Sequence, residues 1–214
     1  MSTAYSSRPG GVAAIILAAG KSTRMGEAKQ LLRLGESTVL GRTIENVRRS
    51  AVVDEIVLVL GASAEAIRGQ LPASLLEGLK VVVNPAYEQG MASSLRAGLS
   101  ALDSQIGAAL IVLADQPFVR PETLDQLGRE HRRTQAQIVF PSYQDRRGNP
   151  VLLDRSVFAE VMALQGDIGC RAIFGSHTER TVRLEVEDEG ILLDIDNQED
   201  YERLRAGSPP HTGE

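Results

Sequence analysis

Four apolar runs rich in β-branched residues constrain the fold of this chain more than any other feature. They are residues 12–17 (VAAIIL), 55–60 (EIVLVL), 79–83 (LKVVV) and 108–113 (AALIVL). Continuous runs of this kind are typical of strands buried on both faces, because a strand with one solvent face alternates apolar and polar residues. Amphipathic segments with helical spacing follow at 37–50, 91–102 and 121–133. This alternation predicts a mostly parallel sheet covered by helices.

The pattern changes after residue 137. QIVFPSY at 137–143 and VLLD at 151–154 have strand character, and the charged turn DRRGNP separates them. A helix at 156–164, a glycine turn with a short helix, a strand at 181–186 and a last helix from Asn197 are predicted to follow. We therefore expect a mixed sheet with an inserted excursion, within a single domain at 12–205. The termini, 1–11 and 206–214, are expected to be flexible because they are polar and rich in Pro and Gly.

Composition and charge exclude several classes of function. Of the 214 residues, 43% are hydrophobic and 24% are charged, which is an ordinary globular balance. Aromatic residues make up 4%, and the net charge is −5, so we expect no nucleic-acid partner. The single cysteine, Cys170, excludes an intramolecular disulfide and a cysteine-built zinc site. The apolar run Val12–Ala19 is too short to cross a bilayer, so we predict a cytoplasmic protein with no membrane partner.

The first predicted strand runs into LAAGKSTRMGEAKQLL at 17–32, whose GKST looks like the end of a Walker P-loop. That interpretation fails on spacing, because Ile15 occupies the position of the opening glycine. A dinucleotide-binding turn fails as well. The G-x-G-x-x-G pattern is absent, and the second strand is followed by Gly61-Ala62-Ser63 instead of an acidic residue.

The same loop still has the components of a triphosphate site. Its small residues leave backbone N–H groups accessible, and Arg24 and Lys29 add positive charge. Ligands of open α/β sheets bind beyond the carboxyl ends of the strands, which is where this loop lies. The alternative is a strand-to-helix turn with two solvated cations.

Acidic residues mark two further stretches. Asp115 ends a buried strand in LADQP, where a carboxylate is costly unless it is paired, and a hard divalent cation is a natural partner. The alternative is a turn aspartate ahead of Pro117. Asp194 and Asp196 would point to one face of a strand. Asp196 also precedes Glu199 by three residues, and this helix capping box is the stronger interpretation of that stretch taken alone.

Three glycine-bearing turns complete the set of candidate sites. NPAYEQGMASSL at 84–95 places Gly90, Ser93 and Ser94 at a helix start, where N–H groups favour an anion or a polar ligand. The alternative is that Ser93 caps that helix itself. The turns at 145–150 and 166–174 carry arginines, which either bind an anionic acceptor or only turn the chain.

Taken in order, these motifs resemble the MobA-like nucleotidyltransferases, and most closely the molybdenum cofactor cytidylyltransferases. The resemblance spans about residues 12–205. It rests on LAAGKSTRMGEAKQLL, NPAYEQGMASSLRAGL, LADQP, RRGNPVLL, GDIGCRAIF and DIDNQEDYERL. Many nucleotidyltransferases share the first segment, whereas the ordered set is much more specific. One departure is Asn197-Gln198, where relatives commonly have Thr-Pro, although these residues can still begin a helix.

The resemblance implies a Rossmann-like three-layer α/β nucleotidyltransferase fold with a mostly parallel mixed sheet. Its nucleotide-binding half would cover about 12–120 and its acceptor-binding half about 137–205. It further implies Mg²⁺-dependent transfer of a cytidylyl group from CTP to the phosphate of molybdopterin or molybdenum cofactor, releasing pyrophosphate. A client molybdoenzyme is a further implied partner. Ala19 favours cytidylyl transfer, because guanylyl-transferring relatives typically have a second glycine there.

The resemblance also implies roles for individual residues. The catalytic residues would be Arg24, Lys29 and Asp115, and the metal ligands would be Asp115 and Asp196, with Asp194 a close rival. The nucleotide would contact Leu17, Ala18, Ala19, Gly20, Ser22, Arg24, Lys29, Gly90, Ser93 and Ser94, and the acceptor would contact Arg147, Gly148, Asn149, Gly166, Asp167 and Arg171.

Two alternative functions stay open at this point. One is a guanylyltransferase, or another nucleotidyltransferase that acts on a different phosphorylated acceptor. The other is a non-catalytic partner that inserts the cofactor into a molybdoenzyme, and such a protein would have no need of Lys29 or Asp115.

Overall fold

The computed structural model describes residues 10–20 and 28–207. Its strands are β1 (Gly11–Ala18), β2 (Arg33–Leu34), β3 (Ser37–Thr38), β4 (Val53–Leu60), β5 (Lys80–Val83), β6 (Ile106–Leu113), β7 (Ile138–Tyr143), β8 (Arg146–Arg147), β9 (Val151–Asp154) and β10 (Thr181–Glu185). Its α-helices are α1 (Val39–Arg49), α2 (Ala64–Gln70), α3 (Ala73–Leu76), α4 (Met91–Ser100), α5 (Pro121–Thr134), α6 (Phe158–Ala163) and α7 (Gln198–Arg205). Short 3-10 segments cover Lys29–Leu31, Tyr87–Gln89, Arg155–Val157, Cys170–Arg180 and Glu189–Leu192.

The central sheet has the order β10-β7-β9-β6-β1-β4-β5, and β8 pairs with β7. Strand β1 is parallel to both β4 and β6, β4 is parallel to β5, and β7 is parallel to β10. Strand β9 runs antiparallel to its neighbours β6 and β7. The predicted mostly parallel mixed sheet is therefore confirmed, and its antiparallel strands, β8 and β9, belong to the predicted excursion after residue 137.

Two apolar cores lie on opposite faces of this sheet, as the continuous strand runs predict. Ala14 and Ile16 of β1 belong to the core under α1, α2 and α5. Ile15 belongs to the core under α4 and α6. Burial of a large aliphatic side chain stabilises the fold by roughly 1.5–3 kcal/mol, so both faces contribute. The result is a three-layer α/β/α arrangement, which confirms the predicted fold class.

Element boundaries differ from the sequence expectation in places with a local cause. Helix α1 begins at Val39, because the Thr38 hydroxyl accepts a hydrogen bond from the Gly41 N–H at 3.0 Å and caps the helix. Helix α7 is capped by Asn197, whose side-chain oxygen accepts from the Asp200 N–H at 2.9 Å. The capping interpretation of Asp196 is therefore wrong, because the helix starts one residue later than that interpretation required.

None of the helices in the described part of the chain has the length and apolar character that crossing a membrane requires. The expectation of flexible termini concerns segments that lie mostly outside the described residues.

Candidate active site

A cleft of about 670 Å³ opens beyond the carboxyl ends of β1 and β6, the edge of the sheet where α/β proteins bind ligands. Its lining includes many of the residues expected to bind the nucleotide or the metal. These are Leu17, Ala19, Gly20, Lys29, Gly90, Ser94 and Asp115. Two residues expected to bind the acceptor, Gly166 and Asp167, line the same cleft.

An ion-paired cluster lies at one end of this cleft. The Lys29 Nζ donates to Asp115 Oδ2 at 2.7 Å and to Asp196 Oδ1 at 3.1 Å. Burial lowers the pKa of Lys29, but the two carboxylates outweigh it, so the pKa lies above its ordinary value. The ammonium group therefore stays charged at neutral pH. It bridges the two carboxylates that the sequence analysis assigned to a metal.

The two carboxylate oxygens of Asp115 differ in their hydrogen bonding. Its Oδ2 accepts from Lys29, whereas its Oδ1 is buried and has no hydrogen-bond partner among the described residues. A buried carboxylate oxygen without a partner is costly, so a cation or a donor at this point would be stabilising. The donor set of Asp115 with Asp196 consists of hard oxygens, which suits a divalent cation such as Mg²⁺.

Within residues 10–20 and 28–207, no group of three or more His, Cys, Asp and Glu side chains is arranged to hold a metal ion. A cation held by Asp115 and Asp196 would therefore depend on further oxygen ligands. Phosphate oxygens of a substrate are the usual source of such ligands for Mg²⁺.

Gln116 connects the end of β6 to Asp194, in the segment before α7. Its side chain is buried, and its Nε2 donates to Asp194 Oδ1 and to the Ile191 carbonyl. The Ile195 N–H donates to the Asp115 carbonyl at 3.0 Å, which fixes the same segment through the backbone. Burial, together with the nearby charge of Asp115, raises the pKa of Asp194 to about 6.

The role of Gln116 was not predicted, although the sequence contains a signal for it. Gln116 is a polar residue at the end of a fully apolar strand, where burial requires hydrogen-bond partners. Of the two rival carboxylates, Asp194 binds Gln116 and Asp196 binds Lys29.

The opposite wall of the cleft is the start of α4, which packs against the turn at Gly166 and Asp167. The Met91 N–H donates to Asp167 Oδ1 at 3.1 Å, and the Ala92 N–H donates to the Gly166 carbonyl at 3.2 Å. These are two of the N–H groups that the sequence analysis expected to receive an anion. In the folded chain the turn at 166–167 already satisfies them.

The two serines of α4 are joined to β5 through Asn84. The Asn84 Nδ2 donates to the Ser93 Oγ at 2.8 Å and to the Ser94 Oγ at 3.1 Å. The Ser93 hydroxyl donates in turn to the Gly90 carbonyl at 2.8 Å. The alternative in which Ser93 caps α4 is therefore wrong, because its hydroxyl bonds a carbonyl and not a helix N–H. Ser94 lines the cleft, whereas Ser93 is buried and is not part of the lining.

The remaining residues expected to bind the acceptor form a cluster outside the lining of the cleft. The Arg147 guanidinium carbon lies 4.4 Å from the ring centroid of Phe140 and 3.7 Å from that of Phe174. Burial, and then the nearby charge of Arg171, lowers the pKa of Arg147. The Arg171 Nη2 donates to Asn149 Oδ1 at 3.4 Å, while the Gly148 N–H donates to the Pro141 carbonyl.

Three other expected site residues need separate mention. Ser22 and Arg24 lie outside the described residues. Ala18 is buried, and its carbonyl accepts from the Gln30 side chain at 3.5 Å. Cleft residues that the sequence analysis did not single out are Gln30, Tyr87, Glu88, Gln89, Met91, Leu113 and Ala114.

Comparison with known proteins gives consistent results for this fold and cleft. A relative from Paenarthrobacter nicotinovorans, "Nicotine blue oxidoreductase", is 30% identical over 90% of this chain and 96% of its own length. The "Molybdenum cofactor cytidylyltransferase" of Escherichia coli (strain K12) is 24% identical over 87% of this chain and 92% of its own. The crystal structure of Rv0371C from Mycobacterium tuberculosis H37Rv in complex with manganese superposes with a TM-score of 0.77 and 34% identity, covering 92% of this chain and 98% of that one.

The family described as "MobA-like NTP transferase domain" matches residues 14–181, which include most of β1, the Asp115 motif and the turn at 166–167. This match confirms the resemblance found in the sequence, and it supports an enzyme of the nucleotidyltransferase class. The chain belongs to the MobA-like NTP transferase family.

Proposed function

We propose that this protein transfers a cytidylyl group from CTP to the terminal phosphate of molybdopterin or molybdenum cofactor and releases pyrophosphate. The observation that carries the proposal is the position of the Lys29 ammonium, between Asp115 and Asp196 in a cleft at the end of β1 and β6. The Escherichia coli relative with that activity in its name supports the choice of nucleotide and acceptor. The proposed location is the cytoplasm.

The reaction needs positive charge more than it needs a base. A phosphate oxygen of the acceptor attacks the α-phosphorus of CTP, and the bond from that phosphorus to the pyrophosphate oxygen breaks. A phosphate monoester is largely ionised near neutral pH, so no side chain has to remove a proton. His131 and His177 are bonded elsewhere, His131 to Asp154 at 3.0 Å and His177 to Glu160 at 2.9 Å.

Lys29 is the described residue placed to stabilise the charge that builds on the departing pyrophosphate. Its ammonium group is partly buried, with 18% of the side chain exposed, so water screens its field less than that of a surface lysine. Arg24 would add a second cation from the same loop. Ala19 and Gly20 line the cleft beside Lys29 and allow a phosphate to approach the backbone closely.

The residues present fit a divalent cation. Asp115 and Asp196 would hold Mg²⁺, and Asp115 Oδ1 is the oxygen that lacks another partner among the described residues. The cation would supply Lewis-acid stabilisation of the phosphate oxygens when bound. Lys29 would then exchange its carboxylate partners for oxygens of the β- and γ-phosphates. The manganese complex of Rv0371C supports a divalent cation in a similar protein.

The acceptor would bind on the side of the cleft formed by Gly166 and Asp167, next to Arg147, Gly148, Asn149 and Arg171. The two arginines provide the positive charge that a phosphorylated acceptor requires. A client molybdoenzyme would receive the product.

A second candidate function comes from the Paenarthrobacter relative, whose name describes an oxidoreductase. Its identity of 30% over most of both chains favours a redox reaction as a rival. Guanylyl transfer and cofactor insertion without catalysis are the other rivals.

One panel of reactions separates these functions. Pyrophosphate release is measured with CTP, GTP, ATP and UTP, each with and without molybdopterin and each with Mg²⁺ or with EDTA. We expect release only with CTP, molybdopterin and Mg²⁺ together. If GTP is the only nucleotide that gives release, the result favours guanylyl transfer. If molybdopterin binds without any release of pyrophosphate, the result favours cofactor insertion without catalysis. Oxidation of NADH or NADPH by nicotine blue, measured in parallel, would favour the redox function.

A further inference from the structure

A second cavity, of about 360 Å³, lies between α1 and the segment that connects β6 to α5. Three arginines, Arg42, Arg49 and Arg120, line it, and we call it the arginine pocket. It shares no lining residue with the cleft described above. Its volume lies within the range of small-molecule sites, at the small end.

The arginine pocket has a fixed wall because of one buried amide. Arg42, Asn46 and Arg49 are separated by four and three residues, so they project from the same face of α1. The Asn46 Nδ2 donates to the Pro117 carbonyl at 3.0 Å and to the Val119 carbonyl at 2.9 Å. These bonds tie α1 to the segment that carries Arg120, so the two sides of the pocket are held together.

The arginines differ in whether they already have partners. Arg49 donates to Asn46 Oδ1. Arg120 donates to the Glu187 carbonyl at 3.2 Å, and its Nε lies 3.7 Å from the Asp188 carboxylate. Arg42 makes no hydrogen bond and no ion pair with any residue in the described part of the chain, and its Nε is buried. A buried guanidinium nitrogen without an acceptor is destabilising, and an anion in the pocket would supply the acceptor.

The charge of the pocket is opposite to that of the molecule. Three guanidinium groups and one carboxylate, that of Glu122, line the pocket, and Asp188 pairs with Arg120 beside it, in a chain whose net charge is −5. Guanidinium groups bind phosphate oxygens through paired, parallel hydrogen bonds. We propose that the arginine pocket is a second anion site that binds a phosphorylated small molecule, of which inorganic phosphate is the smallest form.

Calorimetric titration of the full-length protein with inorganic phosphate, at constant ionic strength, tests this site. We expect Arg42→Gln to weaken binding about tenfold or more, because it removes a charge-assisted contact. Arg129→Gln is the matched control, since Arg129 is an exposed arginine on α5 that pairs with Asp125 outside the pocket. Unchanged binding by Arg42→Gln, or binding that is lost in Lys29→Ala but kept in Arg42→Gln, would overturn the proposal.

A chemical measurement on the wild-type protein keeps the test independent of any variant's stability. Phenylglyoxal modifies accessible arginines, and mass spectrometry locates them. We expect phosphate to protect Arg42 and Arg49 and to leave Arg129 and Arg133 unprotected. Equal modification of all four with and without phosphate would contradict the site. Binding of a hexaglutamate peptide that depends on Arg42 and that phosphate does not displace would also overturn it, in favour of an acidic protein partner.

Discussion

Lys29 contacts carboxylates that lie 86 and 167 residues away from it in the chain. Its charge and its place after the glycine loop are visible in the sequence, and both pointed to a phosphate-binding role. Its bridging position between Asp115 and Asp196 is not visible, because it depends on how β1, β6 and the segment before α7 meet. The same is true of Gln116, whose burial and bond to Asp194 require the fold.

Replacement of Lys29 tests its role at the level of one side chain. We expect Lys29→Ala to slow pyrophosphate release from CTP with molybdopterin by about 10²–10³-fold, the range for losing one charge-stabilising group. Lys80→Ala is a matched control, because Lys80 also bridges two carboxylates, Glu55 at 3.1 Å and Asp103 at 2.8 Å, away from the cleft. Near-wild-type turnover in Lys29→Ala, or an equal loss in Lys80→Ala, would contradict the assignment.

Cys170 gives a pH-dependent prediction. Burial raises the pKa of its thiol to about 11, although the charges of Arg171 and Arg147 act in the opposite direction. The folded protein therefore holds this proton more tightly than the unfolded chain does. The contribution of the protonated thiol to the free energy of unfolding is present in full below pH 9 and is lost as the pH rises from 9 to 11. We expect iodoacetamide to label Cys170 slowly at pH 8 in the native protein and rapidly in denaturant. Fast labelling of the native protein would show that the thiol is exposed.

At the scale of elements, the strands were predictable because short, continuous apolar runs rich in β-branched residues are typical of strands buried on both faces. Two strands joined by a turn were predicted at 137–154, because a short charged turn separates two strand-like segments there, and β9 is the second of these strands. Helix α4 begins at Met91, as predicted, but the packing of a distant turn against its first residues was not foreseen. Its sequence suggests N–H groups open to a ligand, whereas the turn at 166–167, more than seventy residues away, folds against it and accepts two of those bonds. Local spacing carries no information about that contact.

The contact between α4 and the turn at 166–167 depends on Gly90. Its φ is +93°, and a Cβ at this position would lie 2.5 Å from the Asp167 nitrogen. We expect Gly90→Ala to lower the free energy of unfolding by roughly 2–4 kcal/mol, through backbone strain and displacement of the turn. Denaturant titration measures this change.

Gly69→Ala is the matched control for this substitution. Gly69 lies in α2, and a Cβ there would meet nothing within 4 Å. Alanine is the better helix former by about 1 kcal/mol, so we expect this variant to be at least as stable as the wild type. A Gly90→Ala protein as stable as Gly69→Ala would show that the turn at 166–167 does not pack as described.

At the scale of the whole molecule, the cleft is assembled from both ends of the chain. The glycine loop after β1 supplies Lys29, and the segment before α7 returns to the end of β6 through the Ile195 N–H and the Asp194 carboxylate. The order of motifs predicted this assembly only through the family resemblance. Composition and periodicity predicted the layers, but they could not place Lys29 beside Asp196.

The transfer of the label from CTP tests the central claim most directly. CTP is labelled with radioactive phosphorus at either the α- or the γ-position and incubated with the protein, Mg²⁺ and molybdopterin. We expect the α-label to join molybdopterin and the γ-label to leave as pyrophosphate, in equal amounts. An α-label that stays with CTP or free CMP, or a γ-label that appears as inorganic phosphate or on molybdopterin, would contradict cytidylyl transfer by this protein.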